Sequence, residues 1–300
     1  MPRFIHFKTI TEMYTMLNMG SPDHPLLAVV RKWGIGDFDP REVKFTGDLY
    51  YLALKGRTSG AFPYGRNKYD YQEGTLIFMR PGQVATFERF KTEDDGGWTI
   101  LFHPDLIHGS ELGKTIKGYS FFNYHLTEAL HLSREEKQFV NTLVENLERE
   151  IRQNLDKHSQ NLIVQNVETI LKYSQRYYDR QFYTRANLNK DLVSRFEGYL
   201  HAYFLSEELS EKGIPTLADC GEALHVSGSY LSDMLKLATG RSAKDHIYNH
   251  LIDLAKLKLL NTTYTINEIA TVLGFEYPQH FSKLFKTKTG VSPSEYRNLN

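Results

Sequence analysis

Residues 216–240 read TLADCGEALHVSGSYLSDMLKLATG, and residues 265–290 read TINEIATVLGFEYPQHFSKLFKTKTG. The two stretches align over their whole length once one extra residue is allowed near the middle of the second. A pattern that occurs twice in one chain indicates a structural unit that has been duplicated. This repeat therefore decides how the C-terminal part of the chain folds.

The first half of each repeat has the apolar spacing of a short helix. Four positions carry apolar or small side chains at this spacing: Leu217, Cys220, Gly221 and Leu224 in the first repeat, and Ile266, Ile269, Ala270 and Leu273 in the second. A small residue at the third of these positions lets another helix cross close by. Each repeat is therefore predicted to contain two helices in close contact.

The second half of each repeat has one apolar face and one polar face. The apolar residues follow i, i+3, i+4 spacing: Leu231, Met234 and Leu235, then Phe281, Leu284 and Phe285. Gly240 and Gly290 follow where a left-handed C-terminal cap is preferred. The polar residues on and just before these helices can reach phosphates or base edges. We predict DNA contacts from Ser227, Ser229, Tyr230, Ser232, Asp233 and Lys236 in the first repeat, and from Glu276, Tyr277, Gln279, His280, Ser282, Lys283 and Lys286 in the second.

One long helix is predicted between the repeats. In residues 246–261, HIYNHLIDLAKLKLLN, the apolar side chains fall along one side: Ile247, Leu251, Leu254, Ala255 and Leu259. A rigid helix would fix the spacing of the two units. Two recognition helices held about 34 Å apart would enter successive major grooves on one side of B-DNA.

The C-terminal region, from Leu192 to Asn300, resembles the AraC/XylS (arabinose-regulator) family of transcription regulators. The most specific part is residues 274–297, GFEYPQHFSKLFKTKTGVSPSEYR. The family signature is matched by Gly274, Phe275, Phe281, Ser282, Lys283, Phe285, Lys286, Gly290, Ser292, Pro293, Tyr296 and Arg297. The resemblance implies two helix-turn-helix units that bind double-stranded DNA, a small effector bound by the N-terminal part, and an activator that contacts RNA polymerase, although activator and repressor stay open.

The sequence departs from the family pattern at two places. Tyr277 stands where a helix-capping Asp or Ser is usual, with Pro278 after it to set the first helical turn. His250 stands where an arginine is common, which puts a phosphate contact from that position in doubt. Lys288 and Arg297 either contact DNA or are solvated surface charges. The alternative to DNA-binding units is that all these helices form an ordinary helical bundle.

The N-terminal part is predicted to form a small β-barrel or sandwich. Four stretches between residues 25 and 104 are rich in branched and aromatic residues: LLAVVRKW, LYYLALKG, TLIFMRPG and WTILFHP. Residues 73–88, EGTLIFMRPGQVATFE, resemble the second motif of the cupin family through Gly74, Pro81 and Gly82. The resemblance implies a cupin-like barrel, and its aromatic residues could line an effector cavity or form core.

Metal binding by this barrel is not expected. The cupin metal ligands are histidines and a glutamate, but residues 60–72 contain no histidine, and Thr86 and Phe87 lie where the last ligand is usual. A metal-dependent cupin enzyme is the alternative from another functional class. His103 and His108 are either a ligand pair or, more commonly, loop-capping residues.

Three amphipathic helices are predicted between the sheet and the repeats. Ser133 begins a capping-box pattern, and Phe139, Leu143, Leu147 and Ile151 follow at intervals of four. A second run passes through Leu162, Val167, Ile170 and Leu171 to Tyr178, and a third from Asn189 through Leu192, Phe196, Leu200 and Phe204. The first two helices either pack against the barrel and brace it or form a homodimer interface. A further alternative is that the N-terminal part dimerises and binds no effector.

Composition and charge place the chain among ordinary globular proteins. The chain has 300 residues, 41% of them hydrophobic and 24% charged, with a formal net charge of zero. Zero net charge gives no support for nucleic-acid binding by the chain as a whole. No apolar stretch is long enough to span a membrane, and the first residues do not have the pattern of a secretory signal. Cys220 is the one cysteine, so no internal disulfide is expected. A cytoplasmic protein without a membrane partner is expected.

Together these patterns predict an α+β protein that is not an enzyme. Residues 1–132 form the cupin-like sensor domain, residues 133–188 the helical connector, and residues 189–300 an all-α domain with two helix-turn-helix units joined by a long helix. No catalytic residue, metal or cofactor is expected. The expected partners are double-stranded DNA, a small effector of unknown identity, RNA polymerase by family resemblance and a second copy of the chain.

Overall fold

The structure is a computed structural model that describes residues 3–33, 43–55, 74–86, 97–153, 156–184 and 186–298. The chain divides into two compact units, residues 1–181 and residues 182–300. Residues 60–72 and Phe87, which bear on the cupin comparison, lie outside the described residues.

The first unit contains two sheets. Its strands are β1 (Arg3–Phe7), β2 (Leu27–Val30), β3 (Val43–Gly47), β4 (Tyr50–Lys55), β5 (Gly74–Met79), β6 (Ala85–Thr86), β7 (Trp98–Phe102) and β8 (Leu130–Leu132). One sheet has the order β1-β3-β6 with β1 and β3 parallel, and the other is antiparallel with the order β2-β7-β4-β5-β8. The four strands predicted from the sequence are β2, β4, β5 and β7, and all four are confirmed. The strands within the described ranges do not close into one barrel, so the cupin-like barrel stays a prediction.

A core lies between the two sheets. Tyr51 and Ala53 of β4 and Leu101 of β7 share a face of the larger sheet because side chains alternate along a strand. They pack in one buried cluster with Phe7 and Phe45 of the smaller sheet. Helix α1 (Ile10–Met16), capped by the Thr9 side chain, adds further apolar residues to the same cluster.

Three helices complete the first unit's described elements apart from short 3-10 turns. They are α2 (Glu111–Thr115), α3 (Arg134–Ile151) and all but the last three residues of α4 (Ser159–Thr184). The predicted capping box is present, because Ser133 accepts a hydrogen bond from Glu136 N and the Glu136 carboxylate accepts one from Ser133 N.

The buried stripe of α3 differs from the prediction. Val140, Val144, Leu147 and Ile151 are buried, whereas Phe139 is 39% exposed. Strict intervals of four drift around a helix with 3.6 residues per turn, so the predicted stripe leaves the buried face at its N-terminal end. In α4, Leu162 is likewise exposed, while Val167, Ile170, Leu171 and Tyr178 are buried as predicted.

Helices α3 and α4 are tied to the larger sheet by polar contacts. Arg31, just after β2, makes a bidentate contact with Glu148 of α3, at 2.9 and 2.8 Å. The Trp98 indole N–H donates to Asn141 Oδ1 at 2.8 Å. In α4, Gln181 Oε1 accepts from His131 N of β8 at 2.8 Å. These contacts support the bracing role of the helices, and dimerisation stays a prediction.

The second unit is helical. Its helices are α5 (Ala186–Leu205), α6 (Glu208–Lys212), α7 (Leu217–Leu224), α8 (Gly228–Thr239), α9 (Ala243–Asn261), α10 (Ile266–Val272), α11 (Pro278–Thr289) and α12 (Pro293–Asn298). The predicted apolar stripe of α5 is confirmed, since Leu192, Phe196, Leu200 and Phe204 are all buried. Helix α6 was not predicted, because five residues are too few to show a period. In the part of the chain that the structure describes, no helix is both long and apolar enough to cross a membrane.

Candidate nucleic-acid interface

Helices α7 and α8 form the first helix pair. Thr216 and Asp219 make a capping box at the start of α7, and the hydrogen bonds from Thr216 hold the pKa of Asp219 below its ordinary value. The helix ends at His225, which adopts the left-handed conformation at φ 59°. Val226 N then donates to Gly221 O at 2.9 Å, so the chain turns sharply into α8.

Helices α10 and α11 repeat this construction. Thr265 and Glu268 form the capping box, and Gly274 takes the left-handed position at φ 78°. Phe275 N donates to Ala270 O at 3.0 Å, the counterpart of the bond in the first turn. The sequence repeat is therefore a repeat of local structure, down to the turn hydrogen bonds.

The small residue of the first pair is required by backbone contact. A Cβ atom added to Gly221 would lie 2.7 Å from Val226 O and 2.8 Å from Gly228 N. Both neighbours are backbone atoms, which cannot move away as a side-chain end can. The close approach predicted from the sequence is confirmed here. Burial raises the pKa of the neighbouring Cys220 thiol to about 11, so this residue packs as a neutral apolar side chain.

The outward face of α8 is only half exposed. Ser229, Ser232 and Asp233 are half-buried and Lys236 is exposed. The ring centroid of Tyr230 lies 5.0 Å from that of Phe182, so this tyrosine packs against the start of its own unit. Ser229, Ser232, Asp233 and Lys236 thus lie on one face of α8, and only the Lys236 side chain is exposed there.

Ser227 has a different position from the one predicted. It is 5% exposed, and its hydroxyl oxygen accepts a hydrogen bond from Tyr230 N at 3.1 Å. It is the N-cap of α8, a position in which serine satisfies a backbone donor of the first turn. The structure therefore assigns Ser227 a capping role at this helix start.

The outward face of α11 is more open than that of α8. Six predicted residues of the second repeat are exposed, namely Glu276, Tyr277, Gln279, His280, Lys283 and Lys286, and Ser282 is half-buried. Tyr277 makes no side-chain cap and Pro278 begins the helix, as the sequence indicates. The Tyr277 and His280 rings lie 5.4 Å apart. Phe281 and Phe285 point the opposite way and are fully buried.

The linker helix α9 is held by a carboxylate that the sequence did not reveal. Glu197 of α5 contacts His246 Nδ1 through Oε1 at 2.6 Å and His250 Nε2 through Oε2 at 2.5 Å. Desolvation opposes the charge on Glu197, but the hydrogen bonds from His250 and His246 outweigh it and lower the pKa of this carboxyl. His250 therefore contacts a residue of its own domain.

Lys288 and Arg297 are not free surface charges. Lys288 Nζ at the end of α11 lies 2.7 Å from Asp245 Oδ1 at the start of α9, and this hydrogen bond, with one from Ser242, lowers the pKa of Asp245 to about 2. Arg297 of α12 donates to Leu259 O at 3.2 Å and to Tyr264 O at 2.7 Å. Both side chains are at least partly exposed, and both also have partners within the domain. Lys288 joins α11 to the linker helix, and Arg297 joins α12 to it.

The histidines of the first unit show no metal-binding arrangement. His103 Nδ1 accepts from Asp105 N at 3.2 Å and caps a 3-10 turn, which is the loop-capping alternative. Within the described ranges, no three His, Cys, Asp or Glu side chains come together where they could hold a metal ion.

The chain is similar to known proteins, and one match lies within the second unit. Residues 220–299 match the family model described as a helix-turn-helix domain. Over 98 residues the chain is 35% identical to the HTH-type transcriptional regulator YisR of Bacillus subtilis, which covers 33% of each chain. Over 139 residues it is 30% identical to YfiF of the same organism, covering 46% of this chain and 40% of YfiF. The chain therefore spans less than half the length of these curated relatives.

One solved structure also matches part of the chain. The C-terminal domain of AraT, a response regulator from Geobacillus stearothermophilus, is 33% identical and covers 36% of this chain and 85% of that domain, with a TM-score of 0.33. The similarity of this chain to helix-turn-helix proteins therefore lies in the sequence matches and in the two repeated helix pairs. The C-terminal region of this chain is similar to the AraC-type helix-turn-helix domains.

Proposed function

We propose that the chain is a DNA-binding transcription regulator that inserts α8 and α11 into successive major grooves of one duplex. The observation that carries this proposal is the construction of the same capped helix pair twice, once on each side of α9. In a helix-turn-helix unit the second helix of the pair enters the major groove. The match to the helix-turn-helix family supports the same role.

The length of α9 suits two neighbouring grooves. Its 19 residues span roughly 28 Å as an α-helix, close to the rise of about 34 Å for one turn of B-DNA. The Glu197 contacts at its first half and the Arg297 contacts at its last turn hold it at both ends. A linker held in this way keeps the two pairs at one spacing.

The two pairs present different chemistry to DNA. Gln279, Lys283 and Lys286 are exposed on α11, whereas α8 offers one exposed lysine, Lys236, beside half-buried hydroxyls and Asp233. An amide can pair with adenine and a lysine with guanine or phosphate. The proposed site therefore has two unequal halves, with the larger share of base contacts in the half read by α11.

Selection from a random duplex library tests this function. The full chain, used at about 0.15 M salt, is expected to enrich a motif with two unequal halves about 10 base pairs apart. The double variant Lys283→Ala and Lys286→Ala is expected to lose enrichment of the half read by α11. The double variant Lys114→Ala and Lys117→Ala, at two exposed lysines of the first unit, is the charge-matched control. A library that shows no enriched motif, or equal enrichment by both double variants, would contradict the proposal.

The first unit is proposed to sense a small effector through a cupin-like fold. It is supported by the resemblance around Gly74, Pro81 and Gly82 and by a small, mostly apolar cavity between the two sheets, lined in part by Phe7, Trp33 and Phe45. By the same family resemblance, RNA polymerase is a further partner of an activator, and the α3 and α4 pair is the proposed homodimer surface.

A further inference from the structure

The starts of α8 and α11 differ at one equivalent position. In the repeat, Ser227 of the first pair corresponds to Tyr277 of the second, and each residue comes directly before its helix. The Ser227 hydroxyl oxygen accepts a hydrogen bond from Tyr230 N. Tyr277 makes no side-chain cap, and the equivalent donor, His280 N, is bonded to the Tyr277 carbonyl oxygen at 3.0 Å. The Tyr277 side chain is therefore not needed to satisfy the start of α11.

Tyr277 and His280 form an exposed aromatic pair at the N-terminal end of α11. Tyr277 is 48% exposed, and its ring centroid lies 5.4 Å from that of His280, edge to face at 68°. His280 is exposed together with Gln279 and Lys283, which lie within one turn of it along the helix. The aromatic pair thus lies beside the polar groups that are proposed to meet DNA.

The equivalent positions of α8 offer different groups. Ser227 is 5% exposed, and Tyr230, the counterpart of His280, is half-buried. The Tyr230 ring packs 5.0 Å from the ring of Phe182, a residue of the same unit. The same construction therefore carries a buried cap and a packed ring at the start of α8, and two exposed rings at the start of α11.

The chemistry of the major groove gives an exposed ring at this position a use. Serine, threonine, aspartate and asparagine stabilise a helix start, whereas an exposed ring neither caps the helix nor gains free energy from burial. The N-terminal residues of a recognition helix are the ones that reach base edges in the major groove. Among the four bases, thymine alone presents a methyl group there, and apolar side chains contact it.

We propose that the Tyr277 ring, packed against His280, contacts the C5 methyl group of a thymine in the half of the site read by α11. The proposal rests on the proposed function, because it names a base that this helix recognises. It makes the affinity of the α11 half depend on a methyl group through Tyr277, and the residue at the equivalent position of α8, Ser227, is a buried cap.

Deoxyuridine in place of thymidine tests the contact, since uracil keeps the hydrogen-bonding groups of thymine and lacks only the methyl group. The full chain is titrated against its selected site with natural bases and with deoxyuridine throughout one half at a time. The α11 half is the one whose enrichment is lost with Lys283→Ala and Lys286→Ala. Removing its methyl groups is expected to weaken binding about fourfold, as the loss of one buried methyl group gives. We call this change in dissociation constant the methyl ratio.

Tyr277→Ser assigns the methyl ratio to this ring. The variant places at α11 the residue type that caps α8, so its melting temperature is expected to equal or exceed that of the wild type. Its methyl ratio for the α11 half should fall to about one, while the effect of deoxyuridine in the α8 half should stay at its wild-type value. Tyr277→Phe keeps the ring and should keep the wild-type methyl ratio. Tyr264→Ser, at a tyrosine that is 47% exposed after α9, is the matched control and should also keep it.

Four results would overturn the proposal. They are an α11 half that contains no thymine in either strand, a wild-type methyl ratio near one, a methyl ratio that survives Tyr277→Ser, and a methyl ratio that is lost in Tyr277→Phe, which would assign the contact to the hydroxyl group. A site that is bound specifically, but equally with and without the methyl groups, removes this inference alone. If the chain selects no site, the proposed function fails and this inference fails with it.

Discussion

Gln279 lies in the first turn of α11, exposed, and four residues before Lys283 on the same face of the helix. A glutamine amide can donate to and accept from the edge of an adenine, so its contact reads one base pair. Gln279→Ala is therefore expected to cost about 1 to 3 kcal/mol at one position of the site and to flatten base preference there. Binding to a library with each base substituted in turn measures this. Unchanged base preference at every position would remove Gln279 from the groove.

Lys286 lies nearly one turn further along α11 and is also exposed. A lysine that contacts phosphate releases about one counterion on binding and carries no sequence information. Lys286→Ala is thus expected to weaken binding to all sequences alike and to lower the slope of log K against log salt by about one. A titration over a salt series measures the slope, with Lys117→Ala as the control that should leave it unchanged. Lys283, between the two, is expected to make a base-edge or mixed contact.

The roles of some single residues could be predicted from the sequence, and the roles of others could not. Local pattern was enough to place the small residue Gly221 and the uncapped start at Tyr277, because both depend on neighbours within one helical turn or one tight turn. Lys288 and Arg297 looked like surface charge because their partners lie 43 residues away for Lys288 and 38 and 33 residues away for Arg297. No local period indicates a partner at such a distance.

At the scale of elements, α5 and α9 are coupled through Glu197. Its two carboxylate oxygens contact His246 and His250, one helical turn apart on α9. The His246 ring is only 9% exposed, and its other nitrogen lies 2.9 Å from Thr239 Oγ1 at the end of α8. The Glu197 carboxylate on α5 thus contacts the linker helix α9 directly and, through His246, is connected to the end of α8.

Glu197→Ala is expected to lower the free energy of unfolding by about 1 to 2 kcal/mol, since it removes two charge-assisted contacts from a carboxylate that is partly exposed. Urea denaturation measures the change. Glu222→Ala, an exposed glutamate of α7, is the matched control and should have little effect.

The pH dependence of this difference has a definite sign. Because the pKa of Glu197 is lowered in the folded chain, its contribution is present above the ordinary glutamate pKa of about 4.3 and is lost as the pH falls through the folded value. The wild type and Glu197→Ala should therefore converge in stability below about pH 4. A stability difference that stays constant down to pH 3 would contradict the role of the charged carboxylate.

Elements differ in how far their sequence predicts them. Helices α7 to α11 follow from apolar period, caps and glycine stops, all of which are local. The strands were recognised from composition, but their order β2-β7-β4-β5-β8 and the parallel pairing of β1 with β3 join distant segments, which no local signal specifies. From the sequence, the aromatic residues could either line a cavity or form core. The choice could not be made because the cavity's shape depends on how the strands pair.

For the whole molecule, zero net charge does not argue against the proposed DNA contact. Lys236, Lys283 and Lys286 are exposed on two helices of one unit. What a duplex meets is the local potential of this surface, and the balancing carboxylates elsewhere on the chain are screened over about 8 Å at physiological salt.

Hydroxyl-radical footprinting of the full chain on its selected site tests the two-groove arrangement most directly. We expect two protected patches on one side of the duplex, with centres about 10 base pairs apart. The combined variant Gln279→Ala, Lys283→Ala and Lys286→Ala should lose one patch and keep a weakened second. A single short patch that this variant leaves unchanged would contradict the account and would leave α11 with a purely structural role.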